Sequence, residues 1–154
     1  MPAVHPTALK VAERLHSAGL DVDVQELDAS TRTAEEAAAA AGCELGQIVK
    51  SLVFVDASGP VLVLCAGDRR VDTALVGRDV RRATPDAVRE ATGFAIGGVP
   101  PIGHERHVRT VVDESLRRFA TVWCAAGTPR AVFEVDTERL IAAIPAADVR
   151  AVTD

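Results

Sequence analysis

The sequence predicts a compact α/β domain built on a mixed β-sheet. Two near-continuous apolar runs, 51–56 and 61–66, flank the turn-type segment Ala57-Ser58-Gly59-Pro60 and read as a β-hairpin. Helices with recognisable caps stand before and after that hairpin. Further strand-like runs then interleave with helices in no regular order, which favours a mixed sheet over a uniform one.

Each element has its own local reason. A first helix is expected over 8–18, with Thr7 as its cap, Leu9, Ala12 and Leu15 on one face, and Gly19 as its stop. Leu20, Val22 and Val24 then alternate with Asp21, Asp23 and Gln25, the period of a half-buried strand. Thr33 with Glu36 three residues on forms a capping box for the Ala-rich helix that Gly42 ends. The hairpin comes next, and its unbroken apolarity suggests a sheet covered on both faces. A short helix begins at Asp72, and another runs from Thr84, with Pro85 at its first position, to Gly93. The runs 108–112, 121–125 and 132–135 read as strands, and 137–144 as a last helix.

Composition narrows the function classes. With 154 residues, 48% of them hydrophobic and 25% charged, the chain has room for one domain over 1–154 and needs neither disulfides nor a structural metal to fold. Four Phe, one Trp and no Tyr leave an aliphatic core and few of the stacking platforms that single-strand binders use. A net charge of −5 excludes nucleic-acid binding driven by overall basicity. Residues 69–118 nevertheless hold ten Arg against seven acids, enough for a local basic face or for ordinary solvated charge. Cys43, Cys65 and Cys124 are odd in number and form no CxxC pair, as expected of reduced thiols in a cytoplasmic protein. The start lacks a hydrophobic signal core, and apolar runs such as 61–67 are far too short to span a membrane.

One window departs from the alternation of elements. Residues 93–103 read Gly-Phe-Ala-Ile-Gly-Gly-Val-Pro-Pro-Ile-Gly and hold four of the eleven glycines and two of the eight prolines. Paired Gly97 and Gly98 can expose main-chain N–H groups, and Pro100 and Pro101 stiffen the chain beyond them. Such a loop suits the presentation of donors to an anionic atom, or simply a tight helix-to-strand connection. Lysine is rare: Lys10 and Lys50 stand against fifteen arginines. Lys50 sits at the mouth of an apolar strand, where a compact ammonium suits a phosphate or carbonyl oxygen, or snorkels to water. His104 and His107 form an H-x-x-H without evident third and fourth ligands, so no metal is expected. Cys65 and Cys124 lie inside apolar strands and read as core fillers. No Ser-His-acid triad order, Walker loop or dinucleotide fingerprint occurs.

The run Ile48-Val49-Lys50-Ser51-Leu52-Val53-Phe54, then the hairpin, then Gly97-Gly98-Val99-Pro100-Pro101-Ile102-Gly103-His104 resembles the YbaK-type family. These are prolyl-tRNA editing domains and their free-standing aminoacyl-tRNA deacylase relatives, and the similarity covers nearly the whole chain. The resemblance implies a partly barrel-like mixed sheet with surrounding helices. It implies hydrolysis, without metal or other cofactor, of the ester joining a wrong, small amino acid to tRNA, with the terminal ribose hydroxyl helping to activate water. Lys50 would hold the phosphate region of the terminal adenosine. Gly97, Gly98, Pro101 and Gly103 would belong to the loop lining the aminoacyl pocket. Gly127, Thr128 and Pro129 would form a second small-residue loop facing it. Pro100 stands where many relatives have Ser, and Arg130 where a small residue or His is common; either would retune amino-acid preference. The implied partners are the aminoacylated 3′ end of tRNA and an aminoacyl-tRNA synthetase. A non-catalytic module binding a charged tRNA or a synthetase, and a small-molecule esterase, are the alternatives.

Overall fold

In the computed structural model, which describes residues 5–28, 31 and 33–154, the chain begins with α1 (Pro6–Ser17), β1 (Val24–Glu26) and α2 (Ala34–Ala41). The hairpin strands β2 (Val49–Asp56) and β3 (Gly59–Ala66) come next, followed by α3 (Thr73–Val76), β4 (Arg81–Arg82) and α4 (Pro85–Thr92). The remainder is β5 (Arg109–Asp113), β6 (Thr121–Ala125), β7 (Ala131–Asp136), α5 (Thr137–Ala143) and β8 (Asp148–Arg150).

The strands fall into two sheets. Five are ordered β4-β2-β3-β5-β8 and three are ordered β1-β7-β6. The larger sheet is mixed as expected, because β4, β2 and β3 pair antiparallel while β3, β5 and β8 pair parallel. The smaller sheet is antiparallel throughout. A parallel bridge between Ile48 and Trp123 joins the two at the entry to β2.

The hairpin explains where the core lies. Only Ala57 and Ser58 lie between the paired ends Asp56 and Gly59, and Gly59 takes a φ of 112° to close the turn. Because side chains alternate, Leu62 and Leu64 of β3 meet Val53 in the main apolar cluster, while Val61 and Val63 meet Phe54 in a second cluster on the opposite face. The central sheet is thus covered on both faces. The first cluster also takes in α1 through Ala8, Val11 and Leu15, α4 through Val88, and the smaller sheet through Phe133 and Val122.

Several helix ends obey the sequence signals. Thr33 accepts from the Glu36 N–H at 3.1 Å and Thr84 from the Ala87 N–H at 3.2 Å, each capping its helix. Gly42 and Gly93 end these helices in the left-handed region, at φ 72° and 82°. Asp72 caps α3 by accepting from the Ala74 N–H.

Other expectations need correction. The first helix starts earlier than 8, at Pro6, because the ring of His5 accepts from the Thr7 N–H and Pro6 occupies the first helical position. Its buried stripe is Ala8, Val11 and Leu15, which leaves Leu9 exposed rather than on the core face. The alternating run after Gly19 pairs only over Val24–Glu26, although Leu20 is buried beneath it. Strands β4 and β8 had no sequence signal, being two and three residues long and held by their neighbours.

Candidate active site

The site is assembled along β2 between Trp123 of β6, which bridges Ile48 at the strand's entry, and β4. β4 pairs with β2 only at Phe54 and Val55, so the edge of β2 is open between that pairing and the bridge at Ile48. A cavity of about 280 Å³ lies along that edge. Its walls come from β2, from Ala34 and Ala37 of α2, from Trp123 and Cys124 of β6, and from Ile96 and Gly97 of the glycine-rich loop. The lining is largely aliphatic. Its charged residues are Lys50 and Arg82, and no carboxylate is among them.

The two loops singled out in the sequence meet at this cavity. Gly97, at φ 87°, lies with its Cα facing Pro129: a Cβ there would stand 3.6 Å from Pro129 Cγ. Gly98 is packed more tightly, since an added Cβ would stand 2.8 Å from the Gly127 carbonyl oxygen and from Thr128 Cα. The Gly127 N–H donates to the Gly98 carbonyl at 2.9 Å and ties the loops together. The Gly98 N–H is itself used, donating to the Ala95 carbonyl at 3.0 Å. Among the described residues the Gly97 N–H donates to no protein acceptor.

Helix α1 braces both loops from behind. Arg14 donates to the Gly103 carbonyl at 2.8 Å, and an added Cβ on Gly127 would stand 2.9 Å from Thr7. Pro100 and Pro101 are buried behind the cavity wall, and the Pro100 carbonyl pairs with His104 Nε2 at 2.7 Å. Thr128 turns inward to accept from the Ala131 N–H, which shapes the second loop. Arg130 is exposed, and its carbonyl accepts from the Leu27 N–H. Of the residues singled out, then, Lys50, Gly97 and Pro129 line the cavity directly, while Gly98, Pro100, Pro101, Gly103, Gly127, Thr128 and Arg130 stand outside its lining.

Lys50 is half-buried, and its Nζ donates to the Arg69 carbonyl. An ammonium carries three donors, so this contact leaves two for an anion. The cysteines are unsuited to nucleophilic work. Burial pushes the Cys65 thiol up to about 11, partly offset by Lys50, and pushes Cys124 well above the ordinary thiol range. His104 is held below its usual pKa by burial, against the opposing hydrogen bond to Pro100. It does not line the cavity. No cluster of three or more His, Cys, Asp or Glu suited to a metal ion occurs among the described residues.

Sequence reasoning did not single out Ile96, Trp123 or α2 as cavity walls. Ile96 carried a usable signal, being a large apolar residue just before the paired glycines Gly97 and Gly98, and the structure leaves it 49% exposed. Trp123 and Ala37 carried none, because only the Ile48–Trp123 bridge and the packing of α2 bring them here.

A small apolar chamber with cations at its edge and glycine loops at its rim defines a domain that suits an acyl group carried on an anionic handle. The comparisons make this specific: the chain belongs to the aminoacyl-tRNA editing domain family, whose model matches residues 28–143. It is similar to a protein of solved structure described provisionally as a trans-editing enzyme for prolyl-tRNA synthetase, with 48% identity, a TM-score of 0.92 and 99% of each chain covered. It is 36% identical to the uncharacterized protein YwhH of Bacillus subtilis, over 77% of this chain and 78% of that one. It is also 37% identical to proline–tRNA ligase of Thermotoga neapolitana over 56% of this chain, a match spanning only 15% of the ligase. No helix among the described residues is long and apolar enough to cross a membrane.

Proposed function

We propose that this chain is a trans-editing deacylase that removes a small, wrongly attached amino acid from tRNA, with tRNA-Pro as its substrate. The observation that carries the reading is the cavity itself. Its aliphatic interior suits a small side chain, and its two charged lining residues, Lys50 and Arg82, are both cations. Family membership supplies the aminoacyl-tRNA ester as the substrate class. The likeness to the provisional prolyl-tRNA synthetase editing enzyme supports tRNA-Pro and a synthetase as partners.

In this reading the acyl group enters beside Gly97, and Lys50 and Arg82 meet phosphates of the terminal nucleotides. Water adds to the ester carbonyl carbon, and the Gly97 N–H donates to the oxygen that becomes negative. The tetrahedral species collapses, the bond to the ribose oxygen breaks, and the proton from water ends on that oxygen. Free amino acid and uncharged tRNA are the products. The neighbouring ribose hydroxyl positions the water and relays its proton, accepting it while giving its own to the leaving ribose oxygen, since the lining contains no His, Asp or Glu to act as a base. Gly98 and Gly127 act by letting the two loops touch. Pro100, Pro101, Gly103, Thr128 and Arg130 hold the shape of the loops around the acyl pocket.

A non-catalytic module that binds charged tRNA is the second reading. It is favoured by the use of the Gly98 N–H within its own turn, which leaves one loop donor rather than two. Release of amino acid from a panel of mischarged tRNAs separates the two readings: turnover supports the deacylase, and binding without turnover supports the module.

A further inference from the structure

We propose that Ser51 is the residue that holds the α-amino group of the aminoacyl moiety; this rests on the deacylase reading of the same cavity. Ser51 lines the cavity, and its Oγ is buried without a hydrogen-bond partner. A buried hydroxyl with nothing to bond to is destabilising unless a ligand completes it.

The strand ladder supplies a second acceptor at the same residue. Along an antiparallel strand, main-chain N–H and C=O groups point alternately to one neighbour and the other. The Val53 carbonyl accepts from the Ala83 N–H at 3.1 Å, so the main chain of Val53 points away from β3. Ser51, two residues earlier, points the same way. Pairing with β4 covers only Phe54 and Val55 and the bridge to β6 lies at Ile48, so no strand pairs with β2 opposite Ser51 there. Its carbonyl and its hydroxyl therefore both lie at the open edge where the cavity runs.

The substrate needs such a group. An α-ammonium requires acceptors, and no carboxylate lines the cavity. Two other hydroxyls line the cavity, Thr31 and Thr33; Thr33 accepts from the Glu36 N–H and donates to the Glu36 carboxylate, and of the three only the Ser51 Oγ is buried without a partner. Lys50 and Arg82 would repel an ammonium, but side-chain alternation puts Lys50 on the opposite face of β2 from Ser51, where it bonds to Arg69, and the pairing of Arg82 with Phe54 puts Arg82 on that same opposite face. The strand thus separates a place for a cation from a place for a phosphate.

The test uses a non-hydrolysable adenosine carrying alanine through a 3′-amide, and its propionyl counterpart lacking the amino group. Calorimetry measures both against the wild type and against Ser51→Thr and Ser51→Val, which share a shape and differ in the hydroxyl. Ser51→Ala, which adds no volume, checks that the added methyls are not the cause. The wild type and Ser51→Thr should prefer the alanyl compound by roughly tenfold or more, and the preference should fall to about a third or less in Ser51→Val and Ser51→Ala. An undiminished preference in the folded Val and Ala variants, or no preference in the wild type, overturns the assignment of Ser51 and leaves the deacylase reading standing. Failure of the wild type to bind either compound overturns both.

Discussion

The Gly127 N–H donates to the Gly98 carbonyl at 2.9 Å, so the two glycine loops are held to each other and not only to the sheet. The contact demands that Gly98 lack a side chain, since a Cβ would stand 2.8 Å from the Gly127 carbonyl oxygen. One loop then sets the position of Gly97 and the other that of Pro129, and both line the cavity.

Gly98→Ala should therefore separate the loops, at a stability loss of about 1–3 kcal/mol and with loss of deacylation. Gly97→Ala meets no close atom but is strained by its φ of 87°, at roughly 1–2 kcal/mol. Urea unfolding of the two variants checks both. Equal stability of Gly98→Ala and the wild type would mean that the loops can part freely.

Lys50→Ala should cut deacylation at least tenfold, about 1.4 kcal/mol of transition-state binding, while the fold persists. The hydrogen bond it loses goes to a main-chain carbonyl, that of Arg69. Single-turnover rates beside a circular dichroism spectrum test this, and wild-type rates in the folded variant would remove Lys50 from the site.

How much of this was readable in the chain depends on how local each cause is. The helix from Pro85 to Thr92 was readable because its cap, its Pro and its terminating Gly are all neighbours in sequence. The hairpin was readable for the same reason, and Lys50 stood out because lysine is so rare here. Ser51 was not readable as a site residue. Its open edge exists because β4 pairs no further than Phe54 on one side and β6 bridges only at Ile48 on the other, and both strands come from distant parts of the chain. Leu9 misled because Thr7 looked like the cap, whereas His5 and Pro6 set the start of the helix and with it the buried stripe.

His104 is expected to be dispensable for catalysis and to leave a mark on stability. Burial disfavours its charged form, so its folded pKa lies below the ordinary value of about 6.5. The unfolded chain then takes up the proton first as pH falls, and stability should drop below that value. Urea midpoints at decreasing pH should show the drop in the wild type and a smaller one in His104→Asn. Deacylation by His104→Ala should stay within a few fold of wild type; a loss of roughly 10²–10⁴ would make it the general base.

Arg81 and Arg82 are exposed on the edge strand β4, and neither has an ion-pair partner among the described residues. Arg82 also borders the cavity. If it meets a phosphate of the single-stranded tRNA end, Arg82→Ala should weaken tRNA binding and lower the log–log salt slope by roughly 0.7. An unchanged slope would assign Arg82 to solvated surface.

The most direct measurement is the release of amino acid from tRNA-Pro charged with a small non-cognate residue, alanine first, compared with correctly charged prolyl-tRNA. The account predicts hydrolysis of the mischarged species well above the buffer rate, little action on the prolyl species, and no turnover when the terminal ribose lacks its free hydroxyl. Mischarged tRNA that stays charged at the buffer rate, across a panel of amino acids and tRNAs and in the presence of folded protein, would contradict it.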